Sequence, residues 1–197
     1  MLKYIINLNP IYGGVQLEIN PEKEIIETLA KIMLISARTA PKAKGEDEIV
    51  TGILSSEEKE KIAKEMDAIG ERGEAFKFFK RDAQNVRDAE LVILVGLNFK
   101  KPVGVNCGAC GFDCNTILKQ KLNDVDYAGP VCTIRAIDLG IAIGSLVSVA
   151  KEFSVDNRVM YSIGVAARKL GLMEAQIILG IPLSVKGKNI FFDRKPL

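Results

Sequence analysis

The sequence predicts a single α+β domain that spans residues 1–197. Three observations favour this fold class. Apolar residues recur at helical spacing in several segments, and short apolar runs rich in branched residues indicate strands between them. Helices and strands follow one another without a regular alternation, which argues against a parallel βαβ sheet. Because no internal repeat and no low-complexity linker interrupts the chain, we expect one core and no second domain.

A first strand is expected before Asn20, and a helix is expected directly after it. Asn20 can cap a helix, Pro21 suits the first helical position, and Glu22 faces the positive end of the helix dipole. Residues 37–52 contain proline, glycine and mixed charges, so they are predicted to form a loop. The buried face of the first helix is expected to contain Ile25, Leu29, Ile32 and Met33.

A second helix is predicted from the capping box that Ser55 and Glu58 can form. Residues 90–97 are a short apolar run rich in branched side chains, and they are predicted to be a buried strand. The helix and the strand together supply part of the expected core. The buried face of the second helix is expected to contain Ile62, Met66 and Ile69.

The last third of the chain is predicted to contain a long helix (134–151), a shorter helix (158–170) and a final strand (176–179). The most apolar part of the long helix, residues 139–150, is shorter than the roughly 20 residues that a membrane span needs. We therefore expect a buried helix and no membrane segment. Small residues four positions apart on this helix predict close packing against another helix: Ala136, Gly140, Gly144 and Ser148.

Composition excludes several classes of function. The 27 basic and 25 acidic residues nearly balance, which gives no electrostatic reason to expect nucleic-acid binding. Histidine is absent, so the commonest zinc ligand and proton shuttle is missing. Residues 1–10 lack the apolar core of a signal peptide, and we expect a cytoplasmic protein whose four cysteines stay reduced.

All four cysteines fall in residues 104–135, with the spacing C-x2-C-x3-C-x17-C. A [4Fe–4S] cluster needs four thiolates around one small body, three of which can come from a wrapping loop and one from elsewhere. Gly108 and Gly111 suit such a loop, because glycine adopts positive φ and lets backbone N–H groups face the cluster. The predicted metal ligands are Cys107, Cys110, Cys114 and Cys132.

Three other roles for these cysteines are possible: zinc ligands, a redox pair, or small apolar residues in the core. A structural zinc ion also takes four thiolates, but its ligands usually come as two separated pairs. A C-x-x-C redox pair would leave Cys114 and Cys132 unexplained. Buried cysteines that act only as small apolar residues would not gather beside glycines. The spacing therefore favours iron–sulfur over zinc.

The string CGACGFDC with a distant cysteine resembles the four-cysteine [4Fe–4S] domain of corrinoid iron–sulfur proteins and membrane electron-transport subunits. More specifically, nearly the whole chain resembles an uncharacterised family of ferredoxin-domain-containing proteins. That resemblance implies the cluster, but it carries no assigned reaction. The stretches that resemble the family are residues 37–45, the cysteine loop, and residues 138–145, 156–161, 180–184 and 192–194.

A helix that ends in Ser-Ala-Arg-Thr-Ala-Pro and a late strand that ends in Leu-Gly-Ile-Pro resemble the flavin-dependent nitroreductases. This resemblance implies a central mixed sheet flanked by helices, a homodimer, and flavin mononucleotide (FMN) shared between two subunits. In that fold, basic and hydroxyl residues after the first long helix hold the flavin phosphate. The matching positions are Ser36, Arg38, Lys42 and Lys44, although a solvated basic loop would explain them equally well.

The sequence thus predicts a cytoplasmic iron–sulfur redox protein, with a flavin-dependent reductase of unknown substrate as its most specific form. One alternative is an electron carrier with a [4Fe–4S] cluster and no flavin. The other is a protein without catalytic activity, in which a four-cysteine metal site only stabilises the fold. The expected partners are a redox protein or a small-molecule substrate and a second copy of the chain.

Overall fold

The computed structural model describes residues 20–192, and the strand predicted before Asn20 lies outside them. This part of the chain contains five α-helices and six strands. The helices are α1 (Ile26–Thr39), α2 (Ser56–Gly70), α3 (Phe78–Asp88), α4 (Thr133–Glu152) and α5 (Tyr161–Lys169). The strands are β1 (Ile49–Ile53), β2 (Leu91–Leu97), β3 (Asn123–Asp124), β4 (Ala128–Gly129), β5 (Asp156–Asn157) and β6 (Ile177–Ser184).

Four strands form the main sheet in the order β1-β2-β6-β5, and β3 pairs separately with β4. In the centre of the main sheet, Leu91 of β2 lies opposite Leu183 of β6. At one edge, Ile49 of β1 lies opposite Leu97 of β2. The expected α+β class is confirmed. A mixed sheet was expected, but every strand pairing within residues 20–192 is antiparallel.

Side chains of β2 alternate between two cores, because successive residues of a strand point to opposite faces of the sheet. Ile93 and Val95 belong to the core that the sheet forms with α1 and α4. Val92 and Leu94 belong to the core formed with α2, α3 and α5. The buried strand predicted over residues 90–97 is therefore confirmed, with β2 covered on both faces.

Helix α5 packs against β6 almost backbone to backbone. A Cβ atom on Gly164 would lie 1.6 Å from the carbonyl oxygen of Ile178. A Cβ atom on Gly180 would lie 2.1 Å from a methyl carbon of Ile163. Both positions require glycine for steric reasons, and they fix the distance between this helix and the sheet.

The start of the first helix was predicted too early. Pro21–Lys23 form a short 3-10 helix, and α1 begins at Ile26. Asn20 has φ of 56° and its side chain caps nothing, so the capping interpretation is wrong. The buried face is also rotated, since Leu29 and Met33 are buried whereas Ile25 and Ile32 are exposed.

The segment predicted as a loop, residues 37–52, contains regular structure at both ends. Helix α1 continues to Thr39, and β1 begins at Ile49. Pro41 and Gly45 lie between these two elements, where a 3-10 turn spans Ala43–Gly45. Helix α3 was not predicted, because charged and amide residues separate its buried apolar side chains. The buried apolar side chains of α3 are Phe79, Ala83 and Val86.

The second helix agrees with the prediction. Ser55 accepts a hydrogen bond from the backbone of Glu58, the Glu58 side chain accepts one from Ser55, and the capping box is confirmed. The later elements were predicted with shifted ends, since α5 begins at Tyr161 and β6 continues to Ser184. Pro182 lies within β6, which stays paired with β2 through Leu183.

Candidate metal centre

Three of the four cysteines lie on the connection between β2 and α4. Cys107 is exposed, and Cys110 and Cys114 are half-buried. Cys132 is buried at the start of α4. All four are free thiols. The connection runs over the surface, so the thiols closest in sequence are also those most open to solvent.

The turns around Cys110 depend on glycine. Gly108 and Gly111 have φ of 73° and 79°, a region that side chains disfavour. The Gly111 N–H donates to the Gly108 carbonyl oxygen at 2.9 Å, which closes a tight turn. A Cβ atom on either glycine would meet open space, so the requirement is conformational and not steric.

Asn106 and Asp113 close the loop around Cys107 and Cys110. The Asn106 amide donates to Asp113 at 2.7 Å and accepts the backbone N–H of Cys114 at 3.0 Å. The other Asp113 oxygen accepts the Asn115 N–H at 2.7 Å. The hydrogen bonds from Asn115 and Asn106 lower the pKa of Asp113. Asp113 is therefore a charged acceptor that shapes the loop.

Cys132 occupies the N-cap position of the 20-residue helix α4. No side chain caps the first turn of this helix, whose N–H groups and dipole favour a negative charge. A thiolate at Cys132 would lie at this positive end. Cys132 belongs to the core between the sheet, α1 and α4, and Cys110 and Phe112 pack against the same core. The cysteine loop and the fourth cysteine thus share one side of the molecule.

Within residues 20–192, no three His, Cys, Asp or Glu side chains stand together as they would around a metal ion. The donor chemistry nevertheless fits an iron–sulfur cluster: four free thiols, two glycines with positive φ, and an uncapped helix start beside the fourth thiol. If a cluster is bound, the residues that would hold it are Cys107, Cys110, Cys114 and Cys132.

Two of the residues predicted to hold a flavin phosphate make contacts within the chain. Ser36 donates to the carbonyl oxygen of Ser145 at 2.9 Å, where α1 crosses α4. Arg38 donates to Asp47 at 2.5 Å and to the carbonyl oxygen of Ile49 at 2.8 Å. Asp47, which follows Arg38 by nine residues, is therefore its acidic partner.

The two predicted lysines differ from each other. Lys42 folds back on the end of α1 and donates to the carbonyl oxygens of Ala37 and Arg38, each at 2.6 Å. Burial lowers the pKa of Lys42. Lys44 is exposed, with φ of 58°, and its ammonium group lies beside Gly104 at the entry to the cysteine loop. Only Lys44 presents an uncommitted charge, so the four residues do not form a ready phosphate cradle.

Within the described residues, 20–192, the stripe of small residues on α4 does not pack against another helix. Gly140, Gly144 and Ser148 are exposed, and a Cβ atom on either glycine would meet nothing within 4 Å. Ile137 and Ile141 beside them are 54% and 40% exposed. The predicted close packing against another helix is therefore not found within residues 20–192, and residues 139–150 are buried on one side of the helix only.

The charges on α4 are inverted relative to an ordinary surface helix. Between Thr133 and Val149 the charged residues are Arg135 and Asp138, and both are buried. The outward face is uncharged over the same length. Within residues 20–192, α4 is also the one helix long and apolar enough to cross a membrane, with a mean hydropathy of 1.6. This inversion was not predicted, although two charged residues three positions apart on an otherwise apolar helix could have indicated it.

Comparison with known sequences identifies related proteins. Residues 128–194 match a family described as uncharacterized proteins containing a ferredoxin domain. This segment contains Cys132 and α4 but not the three-cysteine loop. An uncharacterized protein from Archaeoglobus fulgidus is 46% identical over 176 residues, which cover 89% of this chain and 95% of that protein.

Three solved structures resemble the fold of this chain. A nitroreductase with bound FMN from Desulfitobacterium hafniense superposes with a TM-score of 0.55 at 13% identity, covering 82% of this chain and 79% of that one. Nitroreductase A from Vibrio parahaemolyticus gives 0.54 at 13% identity, with 87% and 62% covered. The NADPH:FMN oxidoreductase from Vibrio harveyi gives 0.52 at 13% identity, with 87% and 64% covered. This chain spans less than two thirds of either Vibrio protein. The likeness confirms a nitroreductase-like fold.

Proposed function

This chain belongs to a family of uncharacterized proteins that contain a ferredoxin domain, and we propose that it is a cytoplasmic iron–sulfur redox protein. The observation that carries the proposal is the arrangement of its four free thiols. Three lie on a glycine-shaped loop, and the fourth lies at the uncapped start of α4 on the same side of the molecule. A reducing compartment keeps such thiols available as ligands.

The chain contributes ligands, a positive environment and partial shielding from water. Cys107, Cys110 and Cys114 would bind from the loop, and Cys132 would bind from a fixed position in the core. The first-turn N–H groups of α4 would stabilise the negative charge of the thiolates. When bound, a [4Fe–4S] cluster supplies one-electron transfer at a potential set by its surroundings. The exposed side of the loop leaves a route for electrons to a partner.

Reductive titration tests this proposal and separates a redox protein from a structural metal site. Protein prepared without oxygen should lose part of its visible absorbance on addition of about one electron per chain from dithionite, and should regain it on mild oxidation. Loss of the metal on reduction would favour the structural alternative. A protein without visible absorbance, whose metal does not respond to dithionite, would contradict the redox function.

A second candidate function is a flavin-dependent reductase, which the likeness to a nitroreductase with bound FMN favours. The contacts of Arg38 allow a sharp test. If a phosphate competes with Asp47 for Arg38, Asp47→Asn should strengthen FMN binding. Arg38→Ala should weaken it by about 1.5–3 kcal/mol, the range for hydrogen bonds to charged groups. No measurable FMN binding by the wild type would remove this candidate, and equal binding by all three proteins would refute the site.

We also propose that the protein is a homodimer built on the outward faces of α1 and α4. Ile32 and Ile35 of α1 and Ile141 of α4 are exposed and apolar. An exposed apolar surface of this kind normally marks an interaction site. Two copies can meet on it without burying unpaired charge.

The pattern on α4 fits a second copy of the same helix. Ile137 and Ile141 project as ridges, while Gly140 and Gly144 leave a groove on the same face. A two-fold axis brings the ridge of one copy to the groove of the other, since such an interface is self-complementary. Close approach of the helices would then bury both the isoleucines and the exposed backbone.

Sedimentation at low micromolar concentration tests the dimer. Wild-type protein should sediment as a dimer and Ile141→Lys as a monomer. Leu170→Lys, which places the same charge at an exposed apolar position on α5, should remain a dimer. A wild-type monomer that binds neutral lipid vesicles would assign the face to a membrane instead. A wild-type monomer that binds no vesicles would contradict both.

A further inference from the structure

Arg135 is buried completely, although it lies in the first turn of α4 and three residues after Cys132. Its guanidinium donates to the carbonyl oxygens of Ala43 and Glu46, each at 3.1 Å, and to that of Lys101 at 3.4 Å. It also pairs with the carboxylates of Glu46 and Asp138. An arginine cannot discard its charge on burial, so each of these acceptors stabilises a permanent cation.

The carboxylates around Arg135 hold further segments of the chain. Glu48 lies 3.8 Å from the guanidinium and accepts the backbone N–H groups of Lys100 and Lys101. Asp138 accepts the N–H of Ala43 at 2.9 Å. Three chain segments therefore meet at one side chain: the turn at Ala43–Gly45, the start of the cysteine loop, and the first turn of α4.

This meeting point joins the two parts of the cysteine set. Lys101 lies six residues before Cys107 in the sequence, and Arg135 follows Cys132 by one helical turn. The bond from Arg135 to the Lys101 carbonyl fixes the entry of the loop against the helix that carries the fourth thiol. The rest of the loop is shaped by its own bonds between Asn106 and Asp113.

We propose that Arg135 is a positioning residue that holds the cysteine loop against Cys132 and raises the reduction potential of the group that the four cysteines bind. The proposal rests on the proposed redox function. Adding an electron makes such a group more negative, so a buried cation one turn from a ligand favours the reduced form. Removal of a neighbouring carboxylate should act in the same direction as the cation.

Two substitutions with opposite expected signs test the proposal. Arg135→Lys keeps a cation but loses the planar set of donors. It should lower iron and sulfide content per folded chain, and the remaining sites should have a more negative potential because the lysine ammonium cannot place its charge where the guanidinium lies. Glu46→Gln removes a half-exposed negative charge and leaves the backbone contacts of Arg135 in place. It should fold normally and shift the potential to a more positive value.

A matched pair on the other face of the sheet supplies the control. Arg87 of α3 pairs with Glu60 and Asp67 of α2. Arg87→Lys and Glu60→Gln should alter thermal stability at most, with iron content per folded chain and potential as in the wild type. The potentials would be measured by dye-mediated titration with dithionite, and the folded fraction by circular dichroism.

The outcomes separate this inference from the proposed function. A wild-type protein without iron and sulfide would contradict the proposed function before any variant is compared. A wild-type cluster whose potential is the same in Glu46→Gln and Arg135→Lys would overturn the role of Arg135 alone. If Arg135→Lys fails to fold, the shift in Glu46→Gln relative to Glu60→Gln still decides.

Discussion

Ser36 of α1 donates a hydrogen bond to the carbonyl oxygen of Ser145 of α4, and the two hydroxyl oxygens lie 2.9 Å apart. This pair lies where the two helices cross. It holds α1 against α4, so that the exposed apolar residues of α1 lie beside the uncharged outward face of α4. Ser36 was predicted to contact a flavin phosphate, and its contacts here instead connect two helices.

Gly144→Ala should separate the stability of one chain from association between chains. A Cβ atom at this position meets nothing within the chain, and alanine in an exposed helix is favoured over glycine by about 0.8–1 kcal/mol. The isolated chain should therefore become more stable towards urea, whereas the proposed dimer should weaken because the helices can no longer approach. Lys64→Ala on the charged face of α2 is the control and should leave association unchanged. A Gly144→Ala protein that dimerises like the wild type would contradict the interface on α4.

Cys132→Ser should remove the cluster while it preserves the fold. Serine is a favoured N-cap residue, so α4 should keep its start and thermal stability in the metal-free state should be equal or higher. The loss of one thiolate should strongly reduce visible absorbance after reconstitution with iron and sulfide. Full reconstitution of the serine variant would show that Cys132 is not a ligand.

Gly164→Ala should be among the most destabilising single changes in this protein. The added methyl group would collide with the backbone of Ile178, which cannot move without displacing β6. We expect a loss of about 3 kcal/mol or more in the free energy of unfolding, the upper range for overpacking. Gly140→Ala, also in a helix but with open space around it, is the control and should not destabilise the chain. Equal denaturation midpoints for the two variants would refute the close packing of α5 on β6.

Tyr161 should ionise only at high pH. Burial, followed by its hydrogen bond to Asp126, raises the pKa of Tyr161 to about 12. An unfolded tyrosine ionises near pH 10, so the stability from the neutral phenol is present below that pH and is lost as the pH rises towards 12. Tryptophan is absent, and tyrosinate absorbance can be followed directly. Asp126→Asn should lower the pKa of Tyr161, and an unchanged titration would show that burial alone sets it.

Much of the fold could be predicted where local signals agree with tertiary packing. The capping box at Ser55 and the branched run of β2 both identified their elements correctly. The start of α1 failed because Asn20 and Pro21 give the same local signal for a 3-10 turn as for an α-helix. Helix α3 was not predicted because charged and amide residues separate its three buried apolar side chains.

The candidate site also has features that could be predicted from the sequence and features that could not. Spacing and glycines predict the cysteine loop because such a loop is local in sequence, and the ligand set stays a prediction. The contacts of Arg135 could not be predicted, since its partners lie up to 92 residues away. The partner of Arg38 is nearby, but the choice between Asp47 and a ligand depends on how the chain folds after α1. The exposed face of α4 was missed because an apolar helix gives the same pattern whether this chain or another covers it.

Metal analysis of protein purified without oxygen shows whether the four cysteines bind one iron–sulfur cluster. Iron, acid-labile sulfide and zinc should be measured on the same sample, together with protein concentration. We expect about four irons and four sulfides per chain and little zinc. About one zinc per chain without sulfide would contradict it.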